Sequence, residues 1–386
     1  MSKLQSNTLS TGFAMFSMFF GAGNVVFPLA TGQYAQDHVF YALLGLLITA
    51  VGVPFLGLMA MTLFDGNHRS FFEQIGKIPG FLISLFIMGL IGPFGALPRV
   101  IALSFSTANM FLPSLSLPVF SVVSCIIIYL LTYKESRILD ILGYLLTPIL
   151  LGSLAILVIK GLVSAPSAIP AEDSSRSIFL HGLIQGYNTM DLMGAFFFSS
   201  MVILCLKKEL LPVNRQDVRH LIKMTLKASC IGALLLGVTY IGFGYTAAYH
   251  SESLANVPQD KMLGLLALNI LGSYGGIVAI VAVSLACLTT AIALAAVFAE
   301  FIHKDITSGK VSYIASLLLT LAATFFMSLL RFSGIMGYLA MILMWCYPAL
   351  IMLCIVNILY KLYGFKYVKT PVIITFFITS FFYATR

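Results

Sequence analysis

Apolar positions fall in eleven long runs, at approximately 9–33, 40–64, 80–112, 117–133, 141–163, 178–206, 225–249, 264–302, 311–330, 334–360 and 370–384. Most of them meet the roughly 20 residues that a bilayer-spanning helix requires. The stretches Leu43 to Ala50 and Ile277 to Leu288 are apolar on every side, with none of the alternation a membrane β-strand shows. The pattern therefore predicts helices, whose backbone groups pair within each span.

Two runs carry a polar, glycine-containing interruption. The first reads Phe19-Phe20-Gly21-Ala22-Gly23-Asn24 and the second Gly186-Tyr187-Asn188-Thr189-Met190-Asp191. The arm at 9–20 makes a helix of about 18 Å at 1.5 Å per residue, too short to cross a core of about 30 Å alone. Spans one and six are thus both broken, spans two and seven are ordinary helices, and spans three and eight are the longest. Five units recur, and an odd number of crossings forces the second copy to be inverted, as in many secondary transporters. The chain is expected to form one transmembrane domain over 1–386. A first repeat covers 9–163, an inverted second repeat 178–360, and an extra span follows in 361–386. Close packing of small residues between helices is the alternative reading of the first break taken alone.

Composition agrees with a lipid environment. Of 386 residues, 60% are apolar and only 9% are charged, against roughly 25% in soluble domains. Nucleic-acid binding, collagen-like and disordered classes are excluded. The net charge of +8 reports orientation instead. With the N-terminus in the cytoplasm, 16 of the 22 bases lie inside: Lys3, Arg69, Lys77, Lys134, Arg137, Lys207, Lys208, Arg215, Arg219, Lys223, Lys227, Lys304, Lys310, Lys361, Lys366 and Lys369. Five lie outside (Lys160, Arg176, Lys261, Arg331 and Arg386), and Arg99 lies within span three. Eleven spans then place the C-terminus outside. The first run lacks a small-residue cleavage site and reads as a span rather than a signal peptide. The six Cys have no C-x-x-C spacing and read as small buried hydrophobes.

The breaks carry the candidate chemistry. Unwound helix ends expose amides on one side and carbonyls on the other, and so suit a ligand bearing both an anionic and a cationic group. An amino acid is such a ligand. Gly21, Ala22, Gly23 and Asn24, with Gly186, Tyr187, Asn188, Thr189 and Met190, are the candidate substrate-binding residues, and Phe20, Tyr187 and Met190 favour an apolar side chain. Asp191 is the sole acid deep within a span, where an ion costs several kcal/mol unless paired. It reads either as a cap of the second half-helix or as a coupling residue for a cation or proton. Arg99, the corresponding base, reads as a gate or a structural anchor. It follows Gly92-Pro93-Phe94-Gly95-Ala96-Leu97-Pro98, whose two prolines predict a bent span three. In span eight, Thr289 and Thr290 with the Ala286 carbonyl offer three oxygens to a hard cation, although such threonines also bond back to their own helix. No metal-binding His cluster, H-E-x-x-H sequence or Walker A sequence is present, so an enzyme or an ATP-driven pump is not expected.

The stretches F-F-G-A-G-N-V-V-F-P at 19–28, G-P-F-G-A-L-P-R at 92–99 and G-Y-N-T-M-D at 186–191 resemble the branched-chain amino acid:cation symporters, the LIVCS or BrnQ family. The resemblance runs from the first span to about the tenth. It implies an all-α polytopic membrane protein of the LeuT-like fold, with five plus five inverted helices, discontinuous helices 1 and 6, and about 11 spans. It also implies alternating-access symport of leucine, isoleucine and valine with Na⁺, or with H⁺, in a bacterial cytoplasmic (inner) membrane. Another neutral or aromatic amino acid is the alternative substrate, and a channel is a lesser one. Matching Gly21-Ala22-Gly23-Asn24 to the break of sodium symporters places cation-binding carbonyls at Ser17 and Phe20, completed by Ala286, Thr289 and Thr290 in span eight. A second cation would lie nearer Asn24. The implied partners are the amino acid, Na⁺ and membrane lipid, with no other cofactor, no nucleic acid and no obligate protein partner. Three features depart from the family. Pro28-Leu29 replaces a double proline, Val100 to Ser106 replaces a Thr-rich run with an acid, and the chain is short at its C-terminus. Since the repeats are complete by about residue 360, transport is expected to survive that shortening.

Overall fold

The computed structural model describes residues 3–134, 146–210 and 218–385, and all regular elements among them are helical. The side chains of Lys3, Arg137, Lys207, Lys208, Arg215, Arg219, Arg386 and Cys205 lie outside the described residues, as does the start of span five. Among the described residues, five segments are long and apolar enough to cross a membrane: Ala22–Leu63, Lys77–Phe111, Lys223–Tyr249, Gly275–Ile306 and Arg331–Tyr363. Six shorter apolar helices accompany them.

Span one is α1 (Lys3–Phe19) and α2 (Ala22–Ala35). Span two is α3 (Val39–Leu47) and α4 (Val53–Leu63), joined by a π turn at Ile48–Gly52. After the short α5 (His68–Phe72), span three divides into α6 (Lys77–Ile91) and α7 (Ala96–Phe111). Spans four and five are α8 (Leu117–Thr132) and α9 (Thr147–Val163). Span six is α10 (Ser175–Tyr187) and α11 (Asp191–Leu210), and span seven is α12 (Val218–Tyr249). α13 (Met262–Leu271) precedes span eight, α14 (Gly275–Phe301). The last helices are α15 (Tyr313–Ser328), α16 (Arg331–Tyr363) and α17 (Lys369–Ala384).

Both predicted breaks are present. Phe20 and Gly21 separate α1 from α2, and Asn188 to Met190 separate α10 from α11. The second break is held open by Met190, whose φ of 67° lies in the left-handed region that a buried, bulky side chain rarely occupies. Span three bends where expected, but the interruption falls at Gly92 to Gly95, while Pro98 sits in the first turn of α7, where no amide partner is lost. Apolar periodicity joins 264–302 into one span. The structure divides it instead, because Gly272, at φ 59°, turns the chain between α13 and α14. Span two contains a π turn that no hydropathy pattern signals.

The broken spans are central. α2 and α1 pack along α12, α3 packs along α10, α4 along α11, and α7 along α14. The α3–α10 crossing is tight because both partners present glycines. A Cβ on Gly45 would lie 2.3 Å from the Phe179 carbonyl oxygen, and one on Gly182 would lie 2.0 Å from that of Ala42. Large apolar side chains on the periphery, such as Val119, Leu130, Leu319 and Phe381, are more than half exposed, which matches a surface facing lipid.

Candidate substrate and cation site

The first break and span eight meet directly. Ser17, Phe20, Ala286, Thr289 and Thr290 are all buried. The Thr290 hydroxyl donates to the Ser17 carbonyl at 3.4 Å, and the Thr289 hydroxyl donates to the Ala286 carbonyl at 3.0 Å. Gly21 makes this approach sterically feasible, since a Cβ there would lie 2.7 Å from Thr290 Oγ1. A residue 273 positions away in sequence is thereby brought to the last turn of α1. Two hydroxyls and nearby main-chain carbonyls form an oxygen-rich, sulfur-free donor set of the kind hard cations take.

The two breaks also meet each other, through Asn24 and Gly23. Asn24 Oδ1 accepts from the Gly21 amide at 3.1 Å, closing the first turn of α2. Its Nδ2 donates to Asp191 Oδ2 at 2.6 Å and also to the Tyr240 hydroxyl. Tyr240 in turn donates to Asp191 Oδ2 at 3.2 Å. All three side chains are buried. A Cβ on Gly23 would lie 2.9 Å from Arg99 Nη2 and 3.0 Å from Thr189 Cα, so only hydrogen fits between the breaks.

Arg99 reaches the other side of the second break. Nη1 donates to the Asn188 carbonyl at 2.7 Å and Nη2 to the Thr189 carbonyl at 3.3 Å. These carbonyls end α10, where the helix dipole is negative and attracts a cation. Asp191 opens α11, and its carboxylate accepts from Asn24 and Tyr240. The Asp191 amide donates to Thr189 Oγ1 at 3.4 Å, and the Leu192 amide donates to the Tyr347 hydroxyl at 3.2 Å. Thr189 and Tyr347 therefore take the first two amides of the helix, while the carboxylate reaches span one and span seven.

A narrow cleft lies between the breaks. Gly21, Ala22, Asn24, Thr189, Met190 and Asp191 line it, and Arg99 and Thr290 reach it from spans three and eight. Three sequence candidates stand apart. Gly186 packs on Thr49 of the π turn, the Asn188 side chain donates back to Gln185, and the Tyr187 ring lies against Tyr347 with centroids 4.8 Å apart. Tyr240 and Tyr347 are additions that sequence reasoning did not single out. The faint signal for Tyr240 was its position beside Thr239, in the middle of an apolar run.

The sequence pattern of a family described as branched-chain amino acid transport protein matches residues 4–386. The chain belongs to that family. A branched-chain amino acid permease BrnQ of Bacillus subtilis (strain 168) is 32% identical, across 81% of this chain and 73% of the permease. A branched-chain amino acid carrier protein of Staphylococcus aureus (strain USA300) is 30% identical, across 98% of this chain and 88% of the carrier. Among solved structures, Mhp1, a nucleobase-cation-symport-1 family transporter in a closed conformation, superposes with a TM-score of 0.62 at 14% identity, covering 96% of this chain and 91% of Mhp1. MhsT in complex with L-phenylalanine gives 0.61 at 15% identity, covering 96% and 98%. At such identities the likeness concerns the fold, which is LeuT-like. Membership of the branched-chain amino acid transport family makes the chain a multi-pass membrane transporter rather than an enzyme.

Proposed function

We propose that the protein is a symporter that brings branched-chain amino acids into a bacterium with Na⁺ by alternating access. The observation that carries the coupling is the meeting of Thr290 with the Ser17 carbonyl across 273 residues of sequence, beside Thr289 and Ala286. Na⁺ held by Ser17, Phe20, Ala286, Thr289 and Thr290 would tie α1 to α14 and favour the state in which the cleft takes substrate. A ligand shifts such an equilibrium only through its differential affinity for the two states. In this reading the residues at the two breaks, Gly21 to Asn24 with Thr189 and Met190, form the substrate site, and residues 9–163 and 178–360 are the two inverted repeats beside the extra span in 361–386. The membrane is the bacterial cytoplasmic membrane, with the N-terminus on its inner side.

Proton coupling is a second reading, favoured by the buried Asp191 carboxylate between Asn24 and Tyr240. Uptake of radiolabelled leucine into proteoliposomes separates the two. An inward sodium gradient should drive accumulation, and a proton gradient without sodium should not. Accumulation driven by protons alone would favour the second reading, and uptake indifferent to both gradients would overturn symport.

A further inference from the structure

Arg99 and Asp191, a base and an acid, line the same cleft, yet no hydrogen bond or ion pair joins them directly. They are 2% and 4% exposed. Each is held by neutral groups. The Arg99 terminal nitrogens go to the Asn188 and Thr189 carbonyls, with Met336 Sδ 3.6 Å from Nη1 and the Phe27 ring 5.8 Å from the guanidinium carbon. Its Nε, although buried, has no hydrogen-bond partner. The Asp191 carboxylate accepts from Asn24 and Tyr240, which are also neutral. Full charges so far from water are costly unless an opposite charge compensates them. Neutral hydrogen bonds hold the two in place, and each acts on the other through space rather than through a direct contact.

The cleft is therefore lined by one basic and one acidic side chain that do not bond to each other. Its lining also includes the apolar Met18, Ile91, Val100, Met190, Phe198 and Leu294. That combination complements a small zwitterion with an apolar side chain, the two charges of the ligand compensating the two of the protein. From this arrangement we infer that Arg99 binds the α-carboxylate of the substrate and Asp191 its α-ammonium group, so that a charged pair, and not helix-end dipoles alone, selects a free amino acid. The carboxylate then faces span three and the ammonium faces span seven. The inference rests on the proposed function, whose substrate it orients.

Leucine analogues that lack one charge test it. Leucinamide keeps the ammonium and loses the carboxylate, and 4-methylpentanoate does the reverse. Each competes against tritiated leucine for the full chain in nanodiscs, with weak binders read by ligand-induced shifts in melting temperature. The unaltered protein should prefer leucine over either analogue by about 10- to 100-fold, the range of a charge-assisted hydrogen bond. Arg99→Gln should abolish the preference over leucinamide and keep that over 4-methylpentanoate. Asp191→Asn should do the opposite. Arg99→Lys and Asp191→Glu, which displace the charge without removing it, should shrink the same ratios in the same one-to-one pattern, so the test stands if the neutral variants fail to fold. Ratios that change together, or not at all, overturn the inference while leaving leucine transport intact. An unaltered protein that binds no branched-chain amino acid overturns the proposed function and the inference with it.

Discussion

Thr290 shows how much one side chain decides. Its hydroxyl faces the Ser17 carbonyl and its methyl and hydroxyl both press on Gly21, so span eight reads the shape of the first break through a single residue. Thr290→Val keeps the volume and removes the oxygen. We expect the sodium concentration for half-maximal leucine uptake to rise roughly tenfold, about 1.4 kcal/mol, with the order of preference among leucine, isoleucine and valine unchanged. An unchanged sodium dependence would remove Thr290 from the ligand set. At this scale the sequence was informative wherever a polar residue interrupts apolar surroundings. Asn24, Thr189, Asp191 and Arg99 stand out because the bilayer penalises them. Tyr240 and Tyr347 do not, since a tyrosine has an apolar body and is an unremarked resident of membrane helices, and only tertiary placement reveals where its hydroxyl goes. The capping alternative for Asp191 was equally open in the sequence, because a helix N-terminus and a neighbouring span both attract a carboxylate. The amides of Asp191 and Leu192 donate to Thr189 and Tyr347, and the carboxylate accepts from Asn24 and Tyr240.

Between elements, the contact of the two breaks depends on Gly23. A methyl group there meets Arg99 Nη2 at 2.9 Å and backbone at 3.0 Å, and backbone cannot yield as the end of a side chain can. Gly23→Ala should therefore reduce leucine transport at least tenfold while the protein still inserts and remains monodisperse. Gly152→Ala, on a face of α9 where a Cβ meets nothing within 4 Å, serves as the comparison and should transport as the unaltered chain does. Removing the backbone freedom of a helix glycine should even raise its melting temperature slightly, by roughly 0.5–1 kcal/mol of stability. Equal effects of the two substitutions would mean that Gly23 matters for helix propensity and not for contact. The broken spans were legible because two glycine-containing polar segments recur in corresponding places. The interruptions in span three and before span eight were less so. Hydropathy averages over a window and passes smoothly across Gly92 to Gly95 and Gly272, where the backbone, not polarity, changes course.

For the molecule as a whole, the proposed orientation rests on charge asymmetry. The loop after α14 holds Lys304 and Lys310, and the loop after α12 holds Glu252 and Asp260. In a background without native cysteines, a cysteine at exposed Ser308 should react with a membrane-impermeant maleimide only in inside-out vesicles, and one at exposed Ser253 only in right-side-out vesicles. The reverse pattern would invert the assignment of both faces. The two breaks read in the sequence as a site built from helix-end dipoles and neutral amides. The placement of Arg99 and Asp191 at one cleft changes that picture, since the acid and the base that are buried among the described residues both line it.

The π turn in span two bears on how the two halves of span six stay in step. On one side of it α3 lies along α10, and on the other α4 lies along α11, while Thr49 within the turn donates to the Leu183 carbonyl at 2.9 Å and touches Gly186. The extra residue resets the angular phase of the helix beside the gap in its neighbour, so each half presents its own seam to its own partner. Deleting one residue from Ile48–Gly52 would turn one half against the other by about 100°, a single α-helical step. Every contact on one side of the joint would then be out of register, although the composition of the span would hardly differ.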